Sequence, residues 1–347
     1  MHLLAAILVA ALAPKAASGE ERPDAGTAPA SPEVTLAAVG DILLARHVAE
    51  AMAAHHDPNY PFLGMHDLLR AADVAFGNLE GPITSGAAVK SKEMVFRADP
   101  GVERALKDAG FAVLSVANNH TPDHGAKGIT DTLSALKAVG IEAVGLGADS
   151  DEAARPVILT RNGLRIAFLA YNDPSVVPRR YGAGAHHPGT NLADADKVRR
   201  DVAAVRSAAD VVIVSMHHGW EYRQSNPYQA KFARAAIDAG ADLVIGHHPH
   251  VVQRVEQYRG KYIVYSLGNF VFDQTFSDAV QEGVILRARL SKAGVTGLQF
   301  LPFRIHNASQ PRLSMDPAVR SRLQSRLQIP LSPDGTVVTP ASNVPPR

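Results

Sequence analysis

Seven of the fifteen histidines in this 347-residue chain (His120, His124, His217, His218, His247, His248 and His250) fall into three short blocks. The tightest is Gly246-His247-His248-Pro249-His250. It follows Asp242-Leu243-Val244-Ile245, whose apolar residues suit the interior of a sheet. Pro249 blocks continuation as a regular central strand. Alternate residues leave a strand on the same side, so His248 and His250 can aim two ring nitrogens at one centre. Asp41, Glu80, Asn119 and His217 also stand just beyond apolar runs that read as strands. Together these residues form a nitrogen and oxygen ligand set without sulfur, suited to a first-row divalent ion such as Mn, Fe or Zn. A carboxylate shared by two ions, with terminal His and Asn ligands, is an arrangement that activates water at neutral pH.

The elements that position these residues alternate between strand and helix. Strands are expected at 34–39, 73–76, 112–116, about 143–146, 210–214 and 242–245, with helices near 101–109, 129–139, 194–208 and 227–239 between them. Hairpins are expected across Asn162-Gly163, Arg259-Gly260 and Lys292-Ala293-Gly294. Parallel-type alternation joined to hairpins predicts an α/β core with mixed sheets. In such sheets sites form at the carboxyl ends of the strands, where the candidate ligands stand.

The composition is that of an ordinary globular chain, 46% apolar and 20% charged. A net charge of +1 supplies no field for nucleic acid or an anionic membrane surface, so no nucleic-acid partner is expected. There is no cysteine, which excludes disulfides, thiolate metal sites and a Cys-anchored lipoprotein. Residues 1–19 have the apolar run and small residues of a secretory signal, so an exported protein is expected, periplasmic, cell-surface or secreted. Residues 20–32, rich in Pro, Ala and charge, read as a disordered linker. Residues 33–305 read as one domain, and 306–347 as a loosely ordered tail, because Pro and Ser are frequent and periodicity fades.

Six motifs, in order, resemble the CapA family: Val39-Gly40-Asp41, Asn78-Leu79-Glu80-Gly81-Pro82, Asn118-Asn119-His120, His217-His218-Gly219-Trp220-Glu221-Tyr222, Gly246-His247-His248-Pro249-His250 and Tyr265-Ser266-Leu267-Gly268-Asn269-Phe270. That family is associated with poly-γ-glutamate capsule synthesis and belongs to the calcineurin-like metallophosphoesterase superfamily. The resemblance implies a single-domain, four-layer α/β/β/α sandwich with one or two divalent ions at the strand ends. It makes Asp41 the first metal-binding Asp, Asn119 the Asn ligand, and His217, His248 and His250 the His ligands. His120 matches the superfamily's non-ligand His, which protonates a leaving oxygen or stabilises charge. Leu43 stands where the superfamily has a further His. Asn78 aligns with the superfamily's bridging Asp, and Glu80, two residues on, is the alternative ligand. Asn78, Asp123, His124, His218, Glu221 and His247 are candidates for bridging or for orienting the ligands.

The expected function is an exported metal-dependent hydrolase acting on a phosphoester or on an amide of a glutamate-type polymer or a cell-wall peptide. The alternative is a non-enzymatic scaffold with a vestigial metal site, serving membrane-bound subunits of a polymer synthase or exporter. Arg46, Arg97, Arg179 and Arg180 are guanidinium groups suited to an anionic polymer, but no sequence feature places them at the site.

Overall fold

The computed structural model describes residues 32–89 and 94–337, so the expected signal and all but the last residue of the expected linker lie outside the described residues. The strands are β1 (Val34–Ile42), β2 (Val74–Leu79), β3 (Phe111–Ser115), β4 (Glu142–Val144), β5 (Leu146–Gly147), β6 (Val157–Arg161), β7 (Leu164–Asn172), β8 (Gly189–Thr190), β9 (Val211–His217), β10 (Leu243–His247), β11 (Val255–Tyr258), β12 (Lys261–Val264), β13 (Asn269–Val271), β14 (Glu282–Ser291), β15 (Gly294–His306) and β16 (Gln310–Leu313). The α-helices are α1 (Arg46–Ala54), α2 (His66–Arg70), α3 (Val102–Asp108), α4 (Gly125–Ala138), α5 (Ser150–Ala154), α6 (Ala195–Val205), α7 (Pro227–Asp238), α8 (Asp278–Gln281) and α9 (Pro317–Leu327).

One sheet runs β16-β15-β14-β1-β2-β3-β4, with β13 added beside β1; the other runs β11-β12-β10-β9-β7-β6. Their centres are parallel, and the hairpin strands β14–β16, β11 and β6 pair antiparallel. Parallel strands covered on both faces read as continuous apolar runs, and that is why 242–245 and 210–214 lack polar alternation.

Side-chain alternation sorts the layers. On β1, Leu36 and Ala38 face a core that also holds Phe76, Phe168, Ile213 and Ile245. The intervening Ala37 and Val39 share a second cluster with Val48 and Met52 of α1 and with Leu106 of α3. On the other sheet, Leu169, Tyr171 and Val214 pack with Val198 and Val202 of α6 and Phe232 of α7. The result is helix, sheet, sheet, helix, the expected four-layer sandwich. Phe76 and Phe168 stack between the sheets at 5.5 Å. The helices begin where local chemistry starts them. Asn226 caps α7 in a reciprocal box with Gln229, and Asp194 caps α6.

The stretch after 306 differs from the loose tail expected of it. Gln310–Leu313 adds an antiparallel edge strand, where Pro311 is tolerated because one side of the strand is unpaired. Pro317–Leu327 is a helix whose Val319, Leu323 and Leu327 enter the inter-sheet core. Its apolar stripe is three residues among Arg, Gln and Ser, which is why the periodicity is faint in the sequence. The buried carboxylate of Glu282 fastens it, accepting from Arg304 and Arg322. Among the described residues no helix is long and apolar enough to cross a membrane.

Two glycines let the strand ends converge. A Cβ on Gly40 would lie 1.8 Å from the Gly268 carbonyl oxygen, and one on Gly246 would lie 1.9 Å from that of Tyr265. A residue with a side chain at either position would push β1 or β10 off its neighbour and spread the rim.

Candidate metal centre

Asp41 is the last residue but one of β1, Glu80 follows β2, His217 ends β9, and His248 and His250 follow β10. All five are buried. His248 and His250 sit at φ 93° and 59°, a left-handed turn that non-glycine residues rarely adopt and that functional sites often retain. That turn folds both rings back over the strand ends, with ring centroids 5.9 Å apart. His248 also lies 4.7 Å, centroid to centroid, from His217.

Asp41, Glu80 and His250 each offer a ligand atom, and these atoms all lie within 4.8 Å of one another. Glu221, His248 and His250 form a second such group, with Glu221 exposed. On a further side, Asn119 Oδ1 and His217 Nε2 lie 2.7 Å apart, so those two potential ligand atoms converge as well.

Glu80 is the telling residue. It is 1% exposed, and neither carboxylate oxygen has a hydrogen-bond partner among the described residues. A buried charge without compensation costs several kcal/mol, so such a carboxylate is paired, protonated or bound to a cation. His250 Nε2 is 3.8 Å from Oε1, too long for a hydrogen bond. Burial and the Asp41 charge hold its carboxyl well above the usual range. The donor set therefore fits a divalent cation.

Asn78 does different work. Its Nδ2 donates to Asp41 Oδ1 at 2.8 Å and lies 3.3 Å from His217 Nδ1, while its Oδ1 accepts from Asn118 at 3.2 Å. With the amide spent on three neighbours, Asn78 braces Asp41, and Glu80 is the carboxylate left for a ligand. Asn118 is a hub missed in the sequence. Its Oδ1 accepts from the backbone N–H groups of His120 and Thr121 and from the Thr121 hydroxyl.

The electrostatics are those of a site holding charge in low dielectric. Burial opposes charge on Asp41, yet His247 and His250 hold it well below the usual carboxylate range. Burial likewise opposes charge on His250, but Glu80 and Asp41 push it up to about 9. Burial, then the charge of His250, carries His248 down to about 3. Burial and the neighbouring His248 hold His217 well below its ordinary value. A neutral imidazole is the ligating form, and His217 and His248 are held in it.

Asn269 is a second residue whose role the sequence motif did not reveal. Its Nδ2 faces the Val280 carbonyl and Gln274 Oε1, both at 3.0 Å, so its Oδ1 faces His250. His250 Nδ1 donates to that oxygen at 2.8 Å, leaving Nε2 as the nitrogen available to an ion. The remaining candidates divide. Asp123 Oδ2 accepts from His120 Nδ1 at 2.8 Å and from the Phe96 amide at 2.9 Å, which orients His120. His247 is wholly buried, 3.5 Å from Asp41 Oδ1. His124 Nδ1 bonds the Gly86 carbonyl, and His218 pairs with Asp173 at 2.9 Å beside Phe232.

The fold is thus a four-layer sandwich with a buried carboxylate and imidazole cluster on its strand-end rim. The model of the bacterial capsule synthesis protein PGA_cap family matches residues 35–274. The capsule biosynthesis protein CapA of Bacillus anthracis is 34% identical over 292 residues, covering 80% of this chain and 69% of that one. The PGA biosynthesis protein CapA of Bacillus subtilis (strain 168) is 34% identical over 282 residues, covering 80% and 73%. A calcineurin-like phosphoesterase of Bacillus subtilis superposes with a TM-score of 0.43 at 13% identity, covering 86% of this chain and 94% of that one. The chain belongs to the CapA family of bacterial capsule synthesis proteins.

Proposed function

We propose that this protein is an exported, metal-dependent hydrolase that cleaves amide bonds in a γ-linked glutamate polymer during capsule synthesis or processing. The family and its CapA relatives supply the link to the polymer. The observation that carries the hydrolase reading is Glu80, whose two buried oxygens lack partners beside Asp41 and His250. Asp41, Glu80 and His250 would hold one ion, and Asn119, His217 and His248 a second, with Mn, Fe or Zn the candidates. Bound there, such ions would supply water activation and polarisation of the oxygen of the bond under attack.

The chain's own part in the chemistry centres on His120. Asp123 accepts a hydrogen bond from Nδ1, so Nε2 is the atom that would exchange a proton with substrate. Phe96 stacks on the ring at 3.8 Å and fixes its plane. When water adds to the amide carbonyl and the C–N bond breaks, the departing amine needs a proton, which His120 supplies. A residue in that role contributes roughly 10²–10⁴-fold to rate. His120→Ala should keep its metal, melt near wild type and lose about two or more orders of magnitude in turnover of a γ-linked glutamate oligomer. Full activity in that variant would remove His120 from the mechanism. Absence of turnover by wild type with Mn, Zn or Fe would favour a scaffold within a membrane-bound synthase. Export is tested by mass spectrometry of native protein: the expected chain lacks residues 1–19, and an intact cytosolic Met1 form contradicts it.

A further inference from the structure

Arg46 stands at the start of α1 in a left-handed conformation, φ 53°, that places its guanidinium over the rim. The group lies 4.6 Å from the ring centroid of Phe96 and 5.9 Å from that of Phe272. Those two rings are the ones that back the site. Phe96 stacks on His120 at 3.8 Å, and Phe272 packs on His250 at 4.8 Å. Arg46 is thus one aromatic ring removed from the proton donor and one from a proposed ligand.

Asp273, 9% exposed, grips the same guanidinium from the loop after β13. Its two oxygens take Nε, at 3.0 Å, and Nη2. Nη1 makes no hydrogen bond among the described residues, and the side chain remains 35% exposed. A guanidinium pinned on two nitrogens, stacked on apolar rings and open on the third is preorganised to receive an oxyanion. Each unit of a γ-linked glutamate chain carries a free α-carboxylate, an oxyanion close to the bond to be cut.

We infer that Arg46 is an anion subsite that binds the α-carboxylate of the glutamate unit next to the scissile bond. The inference rests on the polymer-hydrolase reading above. It makes Arg46 a specificity determinant: it selects a charged chain and sets the reach from that carboxylate to His120.

The test is calorimetric binding of two probes, a γ-linked glutamate oligomer and the same oligomer with its α-carboxylates amidated. It uses metal-loaded full chain carrying His120→Ala, so that the oligomers stay intact. The charged oligomer should bind more tightly, and Arg46→Ala should shrink that preference by roughly tenfold or more, since a charge-assisted hydrogen bond is lost. Arg46→Lys should recover part of it. Asp273→Ala separates recognition from structure: it should lower the melting temperature yet keep a preference for the charged oligomer. An undiminished preference in Arg46→Ala, equal loss in Asp273→Ala, or no binding of either oligomer overturns the subsite. Displacement by inorganic phosphate at concentrations below those of the oligomer also overturns it, because the group then reads phosphate. Elemental analysis keeps the two readings apart. A carboxylate preference without bound metal would sink the hydrolase and spare Arg46, and bound metal without preference would do the reverse.

Discussion

Asn269→Ala should loosen the ion held by His250 without touching it directly. The native oxygen lies 2.8 Å from His250 Nδ1, and Asn269 is wholly buried. Removing it leaves the ring one alternative acceptor, Asp41 Oδ2 at 3.5 Å, which is beyond a good hydrogen bond. The ring then either rotates, misdirecting Nε2, or keeps an unsatisfied buried N–H that costs about 1–3 kcal/mol. Loss of such an orienting partner typically lowers metal affinity roughly 10–100-fold, or about 1.4–2.7 kcal/mol. The assay is calorimetric titration of chelator-treated protein with Mn or Zn, with thermal melting as the control for folding. Asn269→Asp, which keeps an acceptor at the same place, should retain most of the affinity. Unchanged affinity in Asn269→Ala would show that His250 is either no ligand or not oriented by this contact.

His248→Ala and His250→Ala should each strip metal while leaving most of the fold, since they stand on a rim turn; elemental analysis with circular dichroism checks both. Metal binding at pH 7 should release a proton, because the carboxylates hold His250 at about 9. Titrations in two buffers of different ionisation enthalpy measure that release, and affinity should rise with pH up to about 9. The same shift sets a stability trend for chelated protein. A raised His250 contributes stability that is fully present below its unfolded value near 6.5 and is lost as pH climbs through about 9. Phe76→Ala, which empties the stacked centre between the sheets, should cost about 3–5 kcal/mol in urea unfolding.

What could be read in the sequence was whatever depended on local pattern. Apolar runs followed at once by Asp41, Glu80, Asn119, His217 and His248 mark strand ends because parallel strands are buried on both faces. The choice between Asn78 and Glu80 lay beyond that pattern. Residues two apart on an extended segment point the same way, and only the three bonds made by the Asn78 amide separate bracing from ligation. The role of Asn269 and the placement of Arg46 were illegible for a different reason. β13 pairs with β1 across more than two hundred residues, and that pairing brings Asn269 under His250 and Asp273 onto Arg46. The helix after 316 was hidden by its polarity, since its three apolar residues acquire meaning only against the core they close.

The most direct measurement of the central claim is the metal content of purified wild-type protein beside Glu80→Gln, a variant of the same shape without the charge. Wild type should retain a stoichiometric Mn, Fe or Zn ion, and Glu80→Gln should lose it while melting at or above the temperature of chelated wild type, since a buried unpaired carboxylate has been removed. Equal metal in both proteins, or none in wild type after reloading, would contradict a metal centre built on Glu80.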